Sequence, residues 1–198
     1  MMMMILKLIK NNGISIDDII DECKNFYYAG QETTSSLLGW TIFLLATNKE
    51  WQEKARKEVA ESFGQKVPNA DGLSSLKIMN MILDESLRLY PPVPFIKRKV
   101  ELTLPPKMLI YISPLAVQHD HKIWGEHVHV FKPDRFAEGV VKATNNNPVA
   151  FLPFGYGPQT CLGLNFAMIK AKISLSMILQ RYMFTTSPTY VKITFHKI

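Results

Sequence analysis

An unbroken helical pattern of about thirty residues near the start of the chain constrains its fold more than any other feature. Ser15 followed by Asp18 is similar to the capping box that begins many helices, although Glu or Gln is the usual partner. Apolar residues then recur at helical spacing past Trp40 to about Ala46. A helix of this length is much longer than the average in globular proteins. We therefore predict that it runs through the centre of the domain.

The rest of the pattern predicts a mainly α-helical fold with a small β region. Thr47 with Glu50 indicates a second helix start, and Pro91 stops a third helix after a polar loop at 64–75. Residues 119–160 are long and weakly patterned, which is typical of a functional region. Helices are predicted over 47–63, 76–89, 114–118 and 161–180, and short strands over 93–112, 182–186 and 190–195. The last helix carries one apolar stripe, formed by Leu162, Phe166, Ile169, Ile173 and Met177.

Composition excludes several classes of protein. A hydrophobic share of 47% and a charged share of 20% in 198 residues are those of a globular protein. The two cysteines, Cys23 and Cys161, make no disulfide framework, and Cys23 is predicted to be a half-buried core thiol. The net charge of +6 is carried by scattered lysines, so nucleic acid is not the expected partner. An acidic protein or an anionic membrane surface fits this charge.

The stretch FGYGPQTCLG, residues 154–163, places Cys161 among three glycines just before the last helical pattern. Glycines at this density indicate a backbone that approaches a ligand closely or takes positive φ. A cysteine in the first turn of a helix has its thiolate favoured by the free N–H groups. A buried free cysteine beside a tight turn fits equally well. A hydrolase nucleophile would need a histidine beside it, and the histidines form no recognisable catalytic pattern.

The motif AGQETT, residues 29–34, lies in the middle of the long helix. Gly30 in a helix interior costs about 1 kcal/mol relative to Ala. A small residue there lets a flat ligand lie against the helix, Thr33 can turn its hydroxyl onto the backbone, and Glu32 supplies a carboxylate. A crossing point between two helices explains the same residues, and the motif alone favours that interpretation.

Two further motifs supply charged residues. Glu85 and Arg88 of ESLR lie three residues apart, so they share a helix face and can pair. The alternative is an ordinary surface pair of little energetic consequence. Arg135 lies between the aromatic residues of FKPDRF and has a planar fork of donors. We expect it to join Glu85 and Arg88 in one network.

In this order and spacing, the four motifs resemble the cytochrome P450 family of haem-thiolate monooxygenases. The quoted stretches match its AGxxTT, ExxR, FxPxRF and FxxGxxxCxG patterns. The segments LRLYPP, WGE and NFA are similar to the plant clan that oxidises terpenoid and hormone-like substrates. The resemblance implies the C-terminal, haem-binding half of the cytochrome P450 fold over residues 1–198, as a partial domain without the N-terminal half and membrane anchor.

The resemblance also implies a set of site residues. Cys161 matches the axial thiolate ligand of the iron in haem b. Thr33 and Glu32 match the residues that deliver protons to bound dioxygen. Gln159 stands where the family usually has an arginine that donates to a haem propionate. The other cofactor-binding residues implied are Phe154, Gly155, Gly157, Gly163, Gly30 and Arg98, and the structural network implied is Glu85, Arg88 and Arg135.

The implied activity is insertion of one oxygen atom of O2 into a C–H bond of a small hydrophobic substrate. Electrons would come from NADPH through NADPH-cytochrome P450 reductase, with Lys170 and Lys172 as candidate contacts or simply a solvated helix face. Family members sit on the endoplasmic reticulum membrane.

The length matches less than half of a usual family member, which suggests an incomplete gene model, a splice fragment or a pseudogene product. The competing interpretation is a truncated, catalytically silent chain that at most binds haem. In either case we expect one apolar face of the long helix to lack partners.

Overall fold

A computed structural model describes residues 15–98, 110–187 and 192–198 of the chain. Its helices are α1 (Ile16–Thr47), α2 (Lys49–Phe63), α3 (Ala70–Ser75), α4 (Lys77–Leu89), α5 (Pro114–Gln118), α6 (His121–Trp124), α7 (Val140–Ala143) and α8 (Leu164–Leu179). Short 3-10 helices lie at Pro133–Phe136 and Gly157–Gln159. Strands β1 (Ile96–Arg98) and β2 (Ile110–Ile112) form one antiparallel pair, and β3 (Tyr182–Thr186) and β4 (Ile193–Lys197) form another. The predicted fold class, mainly α with a small β region, is confirmed.

Helix α1 begins with the reciprocal bonds of a capping box. The Asp18 N–H donates to Ser15 Oγ at 3.1 Å, and the Ser15 N–H donates to Asp18 Oδ2 at 2.9 Å. Side chains before Thr34 are exposed or half-buried, whereas Leu37 and Leu45 in the second half are buried. The helix therefore packs on the described core through its C-terminal half, and apolar side chains of its N-terminal half are uncovered, as expected.

The main core forms where the C-terminal half of α1 meets α2, α4, α8 and β3. Leu45, Val59, Leu83, Leu175 and Phe184 come from these five elements and are almost completely buried. Full burial of each aliphatic side chain contributes about 1.5–3 kcal/mol. This core fixes the start of α4 and the middle of α8, which flank the residues of the candidate site.

Polar side chains lock two of these helices together. Both carboxylate oxygens of Glu58 in α2 accept hydrogen bonds, from the Ile78 N–H at 2.7 Å and the Met79 N–H at 2.9 Å. These N–H groups belong to the first turn of α4, where a helix has no internal partners for them. Glu58 therefore caps α4 from a neighbouring helix, and Trp40 of α1 stacks on Tyr90 at its other end with ring centroids 4.1 Å apart.

Two helix starts differ from the prediction. The polar loop at 64–75 contains α3, which Asn69 caps by accepting the Gly72 N–H at 2.9 Å. Helix α2 begins at Lys49 rather than Thr47, because the Thr47 hydroxyl donates to the Leu44 carbonyl at 2.9 Å and so belongs to the end of α1. Apolar periodicity decides neither case, because α3 has one buried residue and a threonine can bond at the end of one helix or cap the start of the next.

The apolar stripe predicted for the last helix faces the core only in part, because Ile173 packs against the core but the first three residues of the stripe do not. The buried residues of α8 are Ala171, Leu175, Ser176 and Leu179. Leu162, Phe166 and Ile169 are instead 88%, 69% and 49% exposed. The helix therefore presents one apolar face to the core and the start of a second apolar face to the surface next to Cys161.

The first C-terminal strand agrees with the prediction, and the second overlaps the predicted segment at 193–195 and continues to Lys197. Strand β3 is the predicted 182–186 segment, and β4 begins at Ile193, while residues 190–191 of the second predicted strand lie outside the described residues. Among the described residues, no helix combines the length and apolar content that a bilayer crossing requires.

Candidate functional site

The stretch 154–163 forms a closed loop between the core and α8. The Cys161 N–H donates to the Phe154 carbonyl at 2.9 Å, which brings the two ends of the loop together. Phe154 packs against the main core. Gly155 and Gly157 have φ of +74° and +82°, a conformation that costs other residues about 1–2 kcal/mol. The glycines are therefore needed for the path of the backbone around the cysteine.

Cys161 lies in the turn before α8 and not in its first helical turn, which corrects the predicted start of this helix. The cap residue is Gly163 and the helix begins at Leu164. The thiol is exposed, so the alternative of a buried cysteine is wrong, and Cys23 on α1 is exposed as well rather than half-buried. A Cβ at Gly163 would lie 3.9 Å from Cys161 Sγ, an ordinary contact. The sulfur is thus presented at the surface beside the start of α8.

The AGQETT motif lies on α1 just before the helix enters the core. The Thr33 hydroxyl donates to the Ala29 carbonyl at 2.7 Å, as its position predicts. Glu32 is exposed, and a Cβ built on Gly30 meets no described atom within 4 Å. The described chain therefore places no helix crossing at Gly30, and the surface over it is open.

The AGQETT motif and α8 lie against each other. Lys170 Nζ on α8 donates to Gln31 Oε1 on α1 at 3.3 Å. Thr34, next to Thr33, is buried, and its hydroxyl has no hydrogen-bond partner among the described residues. The structure therefore brings the central part of α1 to the helix that follows Cys161.

Glu85 and Arg88 form a fully buried ion pair and not a surface pair. Arg88 Nε and Nη2 donate to the two carboxylate oxygens of Glu85 at 2.8 and 2.9 Å, and both side chains are 0% exposed. The Lys132 N–H donates to Glu85 Oε1 at 3.0 Å. Two-point pairing in a buried position fixes both side chains, and removal of either partner would leave the other charge buried without its two-point partner.

Arg135 joins the ion pair from the FKPDRF segment. Its Nε lies 3.4 Å from Glu85 Oε1, an ion-pair distance without hydrogen-bond geometry. Its guanidinium also donates to the Trp124 carbonyl at 2.9 Å and to the His127 carbonyl. The structure therefore brings Glu85, Arg88 and Arg135 into one cluster, which ties α4 to the segment before the cysteine loop.

Gln118 belongs to this cluster and is absent from the sequence-based residue set. It is fully buried, its carbonyl accepts from Arg88 Nη1 at 2.9 Å, and its side-chain oxygen accepts from the Leu152 N–H at 3.0 Å. A single glutamine in a short helix gives no sequence signal, because its partners are backbone groups distant along the chain. The tertiary structure alone shows that it connects the ion pair to the residues preceding the loop.

Two further predicted residues are Gln159 and Arg98. Gln159 is exposed, and Arg98 has its backbone in β1 while its side chain lies outside the described residues. The His129 ring contacts the rings of His119 and His121, and His196 pairs with Thr185. Among the described residues no histidine hydrogen-bonds Cys161, so the arrangement of a cysteine nucleophile with its base is not seen.

A family model described as cytochrome P450 matches residues 1–197. The chain belongs to the cytochrome P450 family. The cytochrome P450 chain is 57% identical over 189 residues to cytochrome P450 CYP749A22 of Panax ginseng, covering 92% of this chain and 36% of that protein. It is 49% identical over 189 residues to cytochrome P450 72A11 of Arabidopsis thaliana, covering 92% of this chain and 37% of that protein.

A third relative has a name that states an activity. The chain is 50% identical over 191 residues to the 11-oxo-beta-amyrin 30-oxidase of Medicago truncatula, covering 93% of this chain and 36% of that protein. The chain therefore spans between a third and two fifths of the length of these relatives, 36–37%.

The residues present fit the haem-thiolate group that the family implies. A cysteine thiolate is one of the protein ligands that haem iron accepts, and Cys161 is exposed in a loop whose backbone is fixed at both ends. Leu162 and Phe166, which follow it, expose apolar surface that a porphyrin can cover. Gly30 adds a stretch of helix surface free of described side-chain contacts. The donor set and the apolar surface thus agree with a flat apolar ligand bound through sulfur.

Proposed function

We propose that this chain carries the haem-thiolate site of a monooxygenase that inserts one oxygen atom of O2 into a C–H bond of a small hydrophobic substrate. The observation that carries the proposal is Cys161, exposed at the start of α8 in a loop closed by its own N–H on the Phe154 carbonyl. A haem bound through cysteine supplies the chemistry, since the thiolate donates electron density that favours O–O cleavage.

In this proposal the loop holds the sulfur in position. Gly155 and Gly157 take positive φ, and together with Gly163 they allow the backbone to approach the macrocycle. Phe154 anchors the loop in the core. Gln159 and Arg98 would hydrogen-bond the propionates, and glutamine gives a neutral bond in place of the stronger charge-assisted one.

Thr33 and Glu32 are proposed to hold and move protons on the α1 side. The Thr33 hydroxyl donates to the Ala29 carbonyl at 2.7 Å, so its oxygen keeps its lone pairs and can accept a further hydrogen bond. Glu32 is exposed, so its carboxylate is in contact with solvent. The pair would therefore carry protons from the surface to the Thr33 oxygen.

The redox partner is proposed to be NADPH-cytochrome P450 reductase, whose acidic face suits the net charge of +6. Of the two candidate lysines, Lys172 is half-buried beside Asp84 and Glu58, and burial lowers its pKa. Lys170 is bonded to Gln31. Neither lysine lies on a freely solvated helix face. Lys170 lies near the cysteine loop and is the better candidate for the reductase contact, and Lys172 is the weaker one.

The name of one relative supports a proposal for the substrate class. The name of the Medicago truncatula protein specifies oxidation of 11-oxo-beta-amyrin, and we propose a hydrophobic substrate of the terpenoid class for the site that includes this chain. We also propose the endoplasmic reticulum membrane as its location.

A second candidate is a chain that binds haem without turnover. The exposed apolar side chains on the N-terminal half of α1 favour it, because Ile16, Tyr27 and Tyr28 have no covering residues in the described part of the chain.

The carbon monoxide difference spectrum of the reduced, haem-loaded chain tests the proposal. We expect the red-shifted Soret band of thiolate ligation, retained in Cys23→Ser and lost in Cys161→Ser. NADPH oxidation with added reductase then separates the two candidates. A spectrum without that band in the parent chain would contradict the proposed haem site.

A further inference from the structure

We propose that Gln118 is a positioning residue for the cysteine loop, through which the buried Glu85–Arg88 ion pair fixes the backbone that holds Cys161. This inference deepens the proposed function and rests on it for the role of the sulfur. The hydrogen bonds that support it are present in the chain by itself.

The side-chain amide of Gln118 is completely satisfied by backbone groups. Its Nε2 donates to the carbonyls of Leu87 and Arg88 at 3.0 and 2.9 Å, and its Oε1 accepts from the Leu152 N–H at 3.0 Å. The two carbonyls belong to the last turn of α4, where helix carbonyls have no internal partners. Gln118 therefore holds the end of the helix that carries Arg88 and the start of the chain segment that leads to the loop.

A series of hydrogen bonds continues from Leu152 to the cysteine. The Leu152 carbonyl accepts from the Gly155 N–H at 3.1 Å, and the neighbouring Phe154 carbonyl accepts from the Cys161 N–H at 2.9 Å. Between Gln118 and Cys161 there are thus three bonds of 2.9–3.1 Å, each within one residue of the next. Movement of Leu152 displaces both ends of the loop.

The ion pair acts on the same residue. Arg88 Nη1 donates to the Gln118 carbonyl at 2.9 Å, so the guanidinium fixes the backbone of Gln118 while Glu85 fixes the guanidinium. All three side chains are 0% exposed. Water cannot replace these bonds, so loss of the amide leaves the Leu152 N–H without an acceptor.

The chain contains a matched control in Gln52. This buried glutamine donates from Nε2 to the Leu45 and Phe184 carbonyls at 3.1 and 2.8 Å, and it accepts from the Phe184 N–H at 2.9 Å. These bonds follow the same pattern but join α2 to α1 and β3, and the Gln52 side-chain oxygen accepts one more bond, from Arg56 Nη2 at 3.2 Å. A structural defect common to any buried glutamine will therefore appear in both Gln→Met variants, and a defect specific to the loop in only one.

The test is hydrogen exchange of the haem-free, full 198-residue chain in Gln118→Met and Gln52→Met. In Gln118→Met we expect exchange of the Leu152, Gly155 and Cys161 amides to accelerate about tenfold, the loss of about one buried hydrogen bond. In Gln52→Met we expect the acceleration at β3 and not in the loop. Equal protection of the loop in both variants would overturn the inference.

A conservative variant and a spectroscopic measurement complete the test. Gln118→Glu keeps an oxygen for the Leu152 N–H, so it should restore loop protection relative to Gln118→Met even if its overall stability is lower. With haem bound, Gln118→Met should shift part of the thiolate-type carbon monoxide band to the blue-shifted form, whereas Gln52→Met should not. If amide protection of the loop is the same in Gln118→Met as in the parent, this inference alone is contradicted. Absence of the thiolate-type band in the parent chain would contradict the proposed function.

Discussion

The two sides of the cysteine loop differ in whether their side chains are buried and bonded within the chain or exposed. Behind the loop, Glu85, Arg88 and Gln118 are fully buried, and each makes hydrogen bonds at 2.8–3.0 Å. In front of it, Cys161 is exposed, and Leu162 and Phe166 expose most of their apolar surface. The first side is a support in which these three polar side chains have hydrogen-bond partners within the chain. The second is a surface suited to an apolar ligand.

This difference indicates which property each region determines. Buried polar networks specify one arrangement because any other leaves a charge or dipole unpaired. The fold does not depend on contacts made by the exposed side, so the residues there can vary to suit the ligand. We therefore expect substitutions behind the loop to reduce stability, and substitutions in front of it to change ligand binding with smaller effects on folding.

The largest effect is expected from the buried ion pair. Arg88→Leu removes both hydrogen bonds that Arg88 makes to the buried Glu85 carboxylate and leaves it only the longer contact with Arg135 at 3.4 Å, so it should lower the free energy of unfolding by about 3–5 kcal/mol. Lys24→Leu is the matched control, since Lys24 and Asp21 have the same spacing at 2.9 Å but are 62% and 72% exposed. We expect that change to cost less than about 1 kcal/mol. Equal losses in urea unfolding would contradict the difference between the two regions.

Asp84, the residue before Glu85, should make the free energy of unfolding depend on pH. Burial raises the pKa of Asp84 from 3.8 to about 7, and Lys172 opposes this shift only in part. Between these two pKa values the Asp84 carboxyl is protonated in the folded chain and ionised in the unfolded chain. The free energy of unfolding should therefore fall as pH rises from about 4 to about 7, by about 4 kcal/mol in total.

Urea unfolding of Asp84→Asn across this pH range measures the contribution of the carboxyl. The variant should match the parent below about pH 4 and exceed it above about pH 7. Burial lowers the pKa of His119, which makes the chain less stable at low pH, but both proteins share this effect and their difference removes it. A difference that does not change with pH would show that Asp84 is not the group responsible.

A smaller effect is expected at Gly157 in the loop. Its φ is +82°, and a Cβ there meets no described atom within 4 Å, so Gly157→Ala introduces backbone strain without a clash. We predict a loss of about 1–2 kcal/mol in thermal or urea unfolding. An unchanged free energy of unfolding would mean that the loop adopts another path in solution.

The smallest change, and one of opposite sign, is predicted at Gly30. An alanine in this helix interior should stabilise the haem-free chain by up to about 1 kcal/mol, because open space surrounds the position. The added methyl group lies on the surface proposed to contact haem, so haem affinity should fall at the same time. A variant that is more stable and binds haem as well as the parent would place the ligand elsewhere.

Local signals in the sequence predicted the elements that local bonds determine. Ser15 and Asp18 mark the start of α1 because both bonds of the cap lie within four residues, and the proline at 114 marks α5 in the same way. The sequence does not predict helix α3, because this helix has six residues and only one of them, Leu73, is buried. The predicted stripe on α8 was assigned from periodicity, which cannot show which apolar face meets the core.

The site divides along the same line. Cys161, Glu85, Arg88 and Arg135 lie in motifs whose residue types and spacing are unusual enough to detect. Gln118 makes its bonds to backbone groups about thirty residues away in both directions, and any sequence can supply those groups. Its contribution depends on the tertiary fold and is therefore invisible in the amino-acid pattern.

The central claim is that the loop presents Cys161 as the ligand of haem, and differential alkylation tests it most directly. Both cysteines are exposed, so iodoacetamide should modify each in the haem-free chain, which mass spectrometry of peptides can quantify. Stoichiometric haem should protect Cys161 and leave Cys23 reactive. Alkylation of both cysteines at unchanged rates, or protection of Cys23 in place of Cys161, would contradict the account.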